Sequence, residues 1–181
     1  MNREEALKLV KENVSNKNLR KHMLATEVVM KHLAKHFGED ETLWSLTGLL
    51  HDLDYDQTVN DFPRHGLNTA EMLAGTDVPE EAVYAIKSHP GHFPRRSLLD
   101  KALYAVDPIT GLVVAAALMH PSKKLKNLDV DFVKRRFKEK RFAAGADRDQ
   151  IKSCEEFGLS LDDFIALSLE AMQEIDEDLG L

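Results

Sequence analysis

Apolar positions recur at helical spacing along nearly the whole chain, and helix start and stop signals punctuate them. Asn2 with Glu5 three residues later has the form of a capping box and predicts a helix to about Glu12. Ser15 or Asn16 can cap a second helix, whose stripe is Leu19, Met23, Thr26, Val29, Met30, Leu33 and Phe37, stopped by Gly38. A third begins near Asp40 with Leu43, Leu46, Leu50 and Leu53 on one side. It gives way to the polar stretch Asp54–Arg64, expected to be irregular and to form a mouth or lid. Helical pattern resumes from about Gly66 to Gly75. Pro79 then opens a helix with Glu80 and Glu81 in its first turn, and Ala82, Ala85, Ile86 and His89 share a face before Pro90 ends it. Ser97 with Asp100 predicts another capping box, after which helices are expected over about Leu98–Met119, 130–142, 147–157 and 160–178. There is no convincing strand, repeat or Ser/Gly linker. The expectation is an all-α single domain spanning 1–181, with a core of about 15–120 and C-terminal helices 121–181 packed on it.

Composition narrows the class of function. Over 181 residues the chain is 43% hydrophobic and 30% charged, which suits a folded domain, and its net charge of -7 gives no overall attraction to nucleic acid or an anionic membrane. The basic run Lys134–Arg141 is the one feature that would suit nucleic acid. The wider basic segment 123–141 and the acidic segment after residue 155 read more simply as two solvated helix faces that pair with each other. The single cysteine, Cys154, forms no intrachain disulfide and suits a reducing cytoplasm as a small apolar filler. No apolar h-region opens the chain and no apolar run reads as bilayer length, so a cytoplasmic protein is expected.

The candidate chemistry lies in histidines and carboxylates on separate helical segments. His22, the pair His51-Asp52, and Asp107 can converge on one ion, and imidazole with carboxylate suits Mn, Fe, Co, Ni, Zn or Mg better than a thiolate-preferring metal. His65 and His89 are placed where a second ion could be held. Asp52 is the natural bridge, since a carboxylate has two oxygens where an imidazole has one free lone pair. Each residue has a plainer reading: His22 as a core histidine, His65 as an exposed helix start, His89 as a buried helix end. Asp107 before Pro108 equally reads as an ordinary helix N-cap with Pro at N1.

The ordered set resembles the HD superfamily of metal-dependent phosphohydrolases, an all-helical fold whose signature is His, then His-Asp, then Asp. Here it stands as Leu19-Arg-Lys-His22, Leu49-Leu-His51-Asp52 and Tyr104-Ala-Val-Asp107-Pro-Ile-Thr-Gly111, within residues 15–120. The resemblance implies divalent metal held by His22, His51, Asp52 and Asp107. Family members with further histidines before the last Asp often hold two metals, and His65 and His89 match those positions in order, with His92 a weaker candidate. Some members place a lysine shortly after His-Asp; here Asp54, Tyr55 and Asp56 occupy that stretch.

The function expected is hydrolysis of a phosphate ester of a small metabolite or nucleotide, with a non-catalytic nucleotide-sensing module as the alternative. Asp52, Asp54 and Asp56 are the candidate catalytic carboxylates, Asp54 and Asp56 either as partners of the ligand histidines or as acid/base groups. Arg64, Arg95, Arg96 and Lys101, in loops or helix starts flanking the ligands, are the candidate phosphate contacts.

Overall fold

The computed structural model describes residues 1–181, which form helices and turns and no strand. The helices are α1 (Arg3–Asn13), α2 (Lys17–Phe37), α3 (Glu41–Leu50), α4 (Tyr55–Thr58), α5 (Leu67–Leu73), α6 (Glu80–Ser88), α7 (Leu98–Met119), α8 (Val130–Lys138), α9 (Arg148–Lys152), α10 (Leu161–Gln173) and α11 (Asp176–Leu179). The anticipated caps are made. Asn2 with Glu5, and Ser97 with Asp100, form capping boxes, and the Asn16 and Asp40 side chains accept from the first free N–H groups of α2 and α3. Gly38 ends α2 in the left-handed conformation at φ 72°.

A contiguous core of 44 buried hydrophobic residues lies between these helices. Helix α2 packs on α3, α7 and α10, and α7 in turn packs on α6, α8 and α9. The closest approach is at Gly48 on α3. A Cβ added there would lie 2.8 Å from the Thr26 carbonyl oxygen and 3.0 Å from Cγ of Met30, both on α2. Only a residue without a side chain lets the two backbones come this near.

Helix α7 resolves the ambiguity at Asp107. The helix runs straight through Pro108, so Asp107 is an interior residue and not an N-cap. Proline lacks the N–H that would serve the carbonyl four residues back. That carbonyl, Tyr104 O, instead accepts from Nε2 of Gln150 at 2.7 Å. A long-range side-chain hydrogen bond thus replaces the lost helical one. Helix α7 is also long and apolar enough to cross a bilayer, contrary to the reading of the bare sequence. In this fold its apolar side chains, among them Leu103, Val106, Ile109 and Val113, are core residues.

Four other segments depart from expectation. The stretch 54–64 is partly ordered, as α4 and a 3-10 turn over Phe62–Arg64. The helix expected over 130–142 ends at Lys138, because Arg148 collects the carbonyls of Phe137, Glu139, Phe142, Ala143 and Ala146 and satisfies them outside a helix. The segment 147–157 is α9 followed by a 3-10 turn, and 160–178 is divided into α10 and α11. The basic run does meet the acidic segment: Lys134 Nζ lies 2.6 Å from Asp162.

Gly48→Ala tests the α2–α3 contact. Alanine is the better helix former by about 1 kcal/mol, so any net loss reports the close approach. The expected outcome in urea denaturation is a destabilisation of about 1–3 kcal/mol, the usual cost of overpacking. Unchanged or increased stability would show that the helices part without penalty.

Candidate metal centre

The α2–α3 contact sets His22 against His51, Nε2 to Nε2, at 3.1 Å. His51 caps the C-terminal end of α3, and Asp52 follows it into the interior. Asp52 Oδ2 lies 3.5 Å from His22 Nε2 and 3.4 Å from His51 Nε2. Its Oδ1 lies 3.3 Å from His65 Nε2 and 3.5 Å from His89 Nε2. His65 precedes α5 and His89 caps α6. Asp107 reaches in from α7, with Oδ1 3.2 Å from His22 Nε2 and 3.9 Å from His51 Nε2. Two donor groups result, His22 with His51 and Asp107, and His51 with Asp52 and His89, each with its donor atoms within 4.8 Å of one another. His65 adjoins the second, sharing Asp52 Oδ1 with His89, and the two rings lie 4.8 Å apart.

The other ring nitrogens leave these atoms facing one another as acceptors. His51 Nδ1 donates to the Gly48 carbonyl at 2.8 Å, and His89 Nδ1 to the Ile86 carbonyl at 2.7 Å. His65 Nδ1 donates to Asp54 Oδ1 at 2.8 Å. The Thr110 hydroxyl gives its proton to the Asp107 carbonyl at 3.0 Å, and so accepts from His22 Nδ1 at 2.9 Å. In the neutral rings these partners assign every Nδ1 a proton and leave every Nε2 a bare lone pair. Four lone pairs and two carboxylates then face one another with no proton between them. His89 Nε2 is fully buried and has no hydrogen-bond partner. A set of acceptors alone is costly to bury, and a divalent cation held there would supply the missing positive charge. The donor set of imidazole and carboxylate fits Mn, Fe, Co, Ni or Zn, and its oxygens admit Mg.

In the ion-free protein, protons take that place. Burial resists a charge on His65, but Asp52 and Asp54 on either side outweigh it and push its pKa up to about 9. Burial likewise opposes charge on His51, yet Asp52 and Asp107 raise its pKa, whereas burial dominates at His89 and lowers it. Burial works against ionised Asp52 and Asp107, but the surrounding histidines hold both carboxyls well below the ordinary range.

The remaining candidates lie apart in kind. Asp54 is fully buried. Its Oδ1 takes His65 and its Oδ2 takes the Thr69 N–H at 2.9 Å, so it orients His65. Asp56 is turned away and accepts from the Ser15 N–H and hydroxyl, both at 2.7 Å. Arg64 binds Asn68 at 2.8 Å and Glu71 at 2.7 Å. Arg95 pairs with Glu156 at 3.1 Å and stacks on Tyr104, and Arg96 stacks on Tyr84. His92 is exposed, with Nε2 on the Phe62 carbonyl at 2.9 Å. Lys101 is half-buried in the first turn of α7.

A cavity of about 680 Å³ opens beside the cluster, with His22, Asp52 and Asp107 in its wall. None of Arg64, Arg95, Arg96 and Lys101 lines it. Its polar lining is Asn16, Asn18, Lys21 and Thr110 instead. Sequence reasoning passed over these four and Thr69. Asn18 precedes His22 by four and Thr110 follows Asp107 by three, so helical geometry could have found both, whereas Lys21, next to His22, points about 100° away and reaches the cavity only through packing. Thr69 has no local signal, because its role is fixed by the packing of α5.

Asp52→Ala is expected to abolish metal binding while helicity by circular dichroism persists. His65→Ala and His89→Ala should each lower metal content by elemental analysis from two ions toward one, and full occupancy in both would show a single-ion site. Binding should also release protons. His65 keeps its proton up to about 9 without metal and must give it up to coordinate. The sign follows for stability as well. The contribution of protonated His65 to the metal-free fold is complete below its unfolded value near 6.5 and lost as pH rises through about 9. Calorimetric titration at pH 7.5 in two buffers of different ionisation enthalpy measures the release. No buffer dependence would exclude a displaced proton.

Comparison with known proteins agrees with this geometry. The model of the HD domain family matches residues 19–117, a span that holds His22, His51, Asp52, His65, His89 and Asp107. No curated protein and no solved structure matches the chain. With its family match covering more than half its length and its ordered histidines and aspartates gathered into one centre, the chain belongs to the HD domain family.

Proposed function

We propose that the protein is a metal-dependent phosphohydrolase that cleaves a phosphate ester of a small metabolite or nucleotide. The observation that carries this reading is the open side of the centre. The side chains of His51, Asp52, His65 and His89 are at most 6% exposed, whereas His22 is 21% and Asp107 31% exposed, and both border the cavity. A purely structural ion would be closed on all sides. HD domains are generally metal-dependent hydrolases, and the donor set suits a divalent ion of the Mn, Fe, Co, Ni, Zn or Mg group.

When bound, such an ion supplies a water of lowered pKa and Lewis-acid neutralisation of phosphoryl charge. The chain's own residues provide the rest. Asp54 and the carbonyls of Gly48 and Ile86 hold the histidine rings in the tautomer that coordinates. Lys21 is the only lysine or arginine lining the cavity, and it binds the phosphoryl group in this reading. Its Nζ spends one donor on the Leu179 carbonyl at 2.6 Å, which leaves two of three free. The net charge of -7 favours a small substrate over a long nucleic acid.

A screen of metal-loaded protein against nucleotides, sugar phosphates and cyclic dinucleotides tests the reading. On the substrate found, Asp107→Ala should collapse kcat together with metal content. Lys21→Ala should keep its metal and lose roughly 10- to 100-fold in kcat/KM, mainly through KM, as expected for a charge-assisted hydrogen bond made before the transition state. Metal-loaded protein that hydrolyses none of these esters would overturn the phosphohydrolase reading.

A further inference from the structure

The cavity carries more information than its charged end. Along α7, Asp107, Gly111, Val114 and Leu118 follow at intervals of four, three and four, so they form one stripe on a single helix face. All four line the cavity. The stripe begins at a metal-centre carboxylate and runs outward as an apolar track. At 1.5 Å per residue its length is about 16 Å. Tyr55 and Leu19 line the same cavity. Leu118 is 53% exposed and Tyr55 41%, so two large apolar side chains remain uncovered beside the cluster of histidines and carboxylates.

Gly111 adds a second observation. Glycine in a helix interior costs about 1 kcal/mol relative to alanine, and such a residue usually has a packing reason. Gly48 has one. Gly111 has none: a Cβ built there would meet nothing within 4 Å. The space it leaves belongs to the cavity, between the metal-centre carboxylate and the apolar track.

We propose that this track holds the non-phosphate part of the ligand, and that the protein takes phosphoesters of an apolar or aromatic body rather than of a small polar one. The proposal rests on the phosphohydrolase reading for the phosphoryl end alone. Gly111 gives the body room to lie against the α7 backbone, and Val114, Leu118 and Tyr55 remove it from water. An aryl or other apolar body can lie along the track; a sugar or glycerol body would leave the track wet and its own hydroxyls without partners there.

Non-hydrolysable phosphonates test the ligand class separately from turnover. Metal-loaded protein is titrated calorimetrically with methylphosphonate, phenylphosphonate and 1-naphthylphosphonate. Affinity is expected to rise along the series by roughly tenfold per step, the low end of what a hydrophobic pocket discriminates. Gly111→Leu fills the track and substitutes a better helix former, so its melting temperature should be kept or raised. Leu118→Asp changes an exposed position. Both should weaken 1-naphthylphosphonate by roughly tenfold or more while methylphosphonate affinity and metal content stay as in the parent. Equal affinity for the three phosphonates, or naphthyl binding untouched by both substitutions, overturns the inference and leaves the phosphohydrolase reading standing. Ordered affinities with no ester hydrolysed overturn the phosphohydrolase reading and leave the ligand class standing. Failure of every phosphonate to bind metal-loaded protein overturns both.

Discussion

The contact of α3 with α2 at Gly48 is the constraint on which the rest of the site depends. Two helix backbones meet there with no side chain between them, and three residues later His51 lies beside His22. The same turn supplies the Gly48 carbonyl that fixes the His51 ring. On the opposite side of Asp52 the arrangement recurs in another form. Gly66, at φ 77°, has its α-carbon so close to the Ile86 carbonyl that a Cβ would lie 2.7 Å from the oxygen, and that carbonyl also accepts from His89. Glycines therefore set the spacing of the histidines, and neighbouring carbonyls set their tautomers.

Such a centre is poorly suited to exist without charge compensation. Asp52 is buried among four imidazoles, and every ring offers it an unprotonated nitrogen once the Nδ1 bonds are made. Protons on His65 and His51 can substitute for a cation, which is why their pKa values rise. Metal binding and proton release are two sides of one equilibrium. Asp54 joins that equilibrium from behind. It holds His65 and accepts from the Thr69 N–H, while its own N–H donates to the Thr69 hydroxyl at 3.1 Å. Both oxygens of Asp54 are thereby engaged in orienting His65.

Helix α7 serves both the core and the site. One face is buried among apolar side chains, and another carries Asp107, Thr110, Gly111, Val114 and Leu118 along the cavity. Pro108 breaks the helical hydrogen-bond pattern one residue past the metal-centre carboxylate, and Gln150 of α9 repairs it. Residues far along the chain thus support a helix whose local sequence suggested that a new one should begin.

The all-helical class, the capping boxes and the ordered set His22, His51-Asp52, Asp107, with His65 and His89 between, were legible in the amino-acid sequence. Helical periodicity and caps are local properties, and a motif in order survives any folding that preserves the order. The sequence alone left Asp107 open between a helix cap and a ligand, because Asp-Pro satisfies either until the partner of the Tyr104 carbonyl is known. It did not separate Asp54 from Asp56, two residues apart with the same chemistry, since only packing turns one toward His65 and the other toward Ser15. Nor did it locate the cavity. Arginines near the ligands in sequence were drawn to Glu71, Glu156, Tyr84 and Tyr104, while Lys21, Gly111 and Leu118 came to line the cavity through the approach of α2 to α7. Periodicity says which face of a helix is buried. Which polar atoms meet, and which space stays open between them, depends on contacts between residues distant in the chain, and those exist only once the helices have packed.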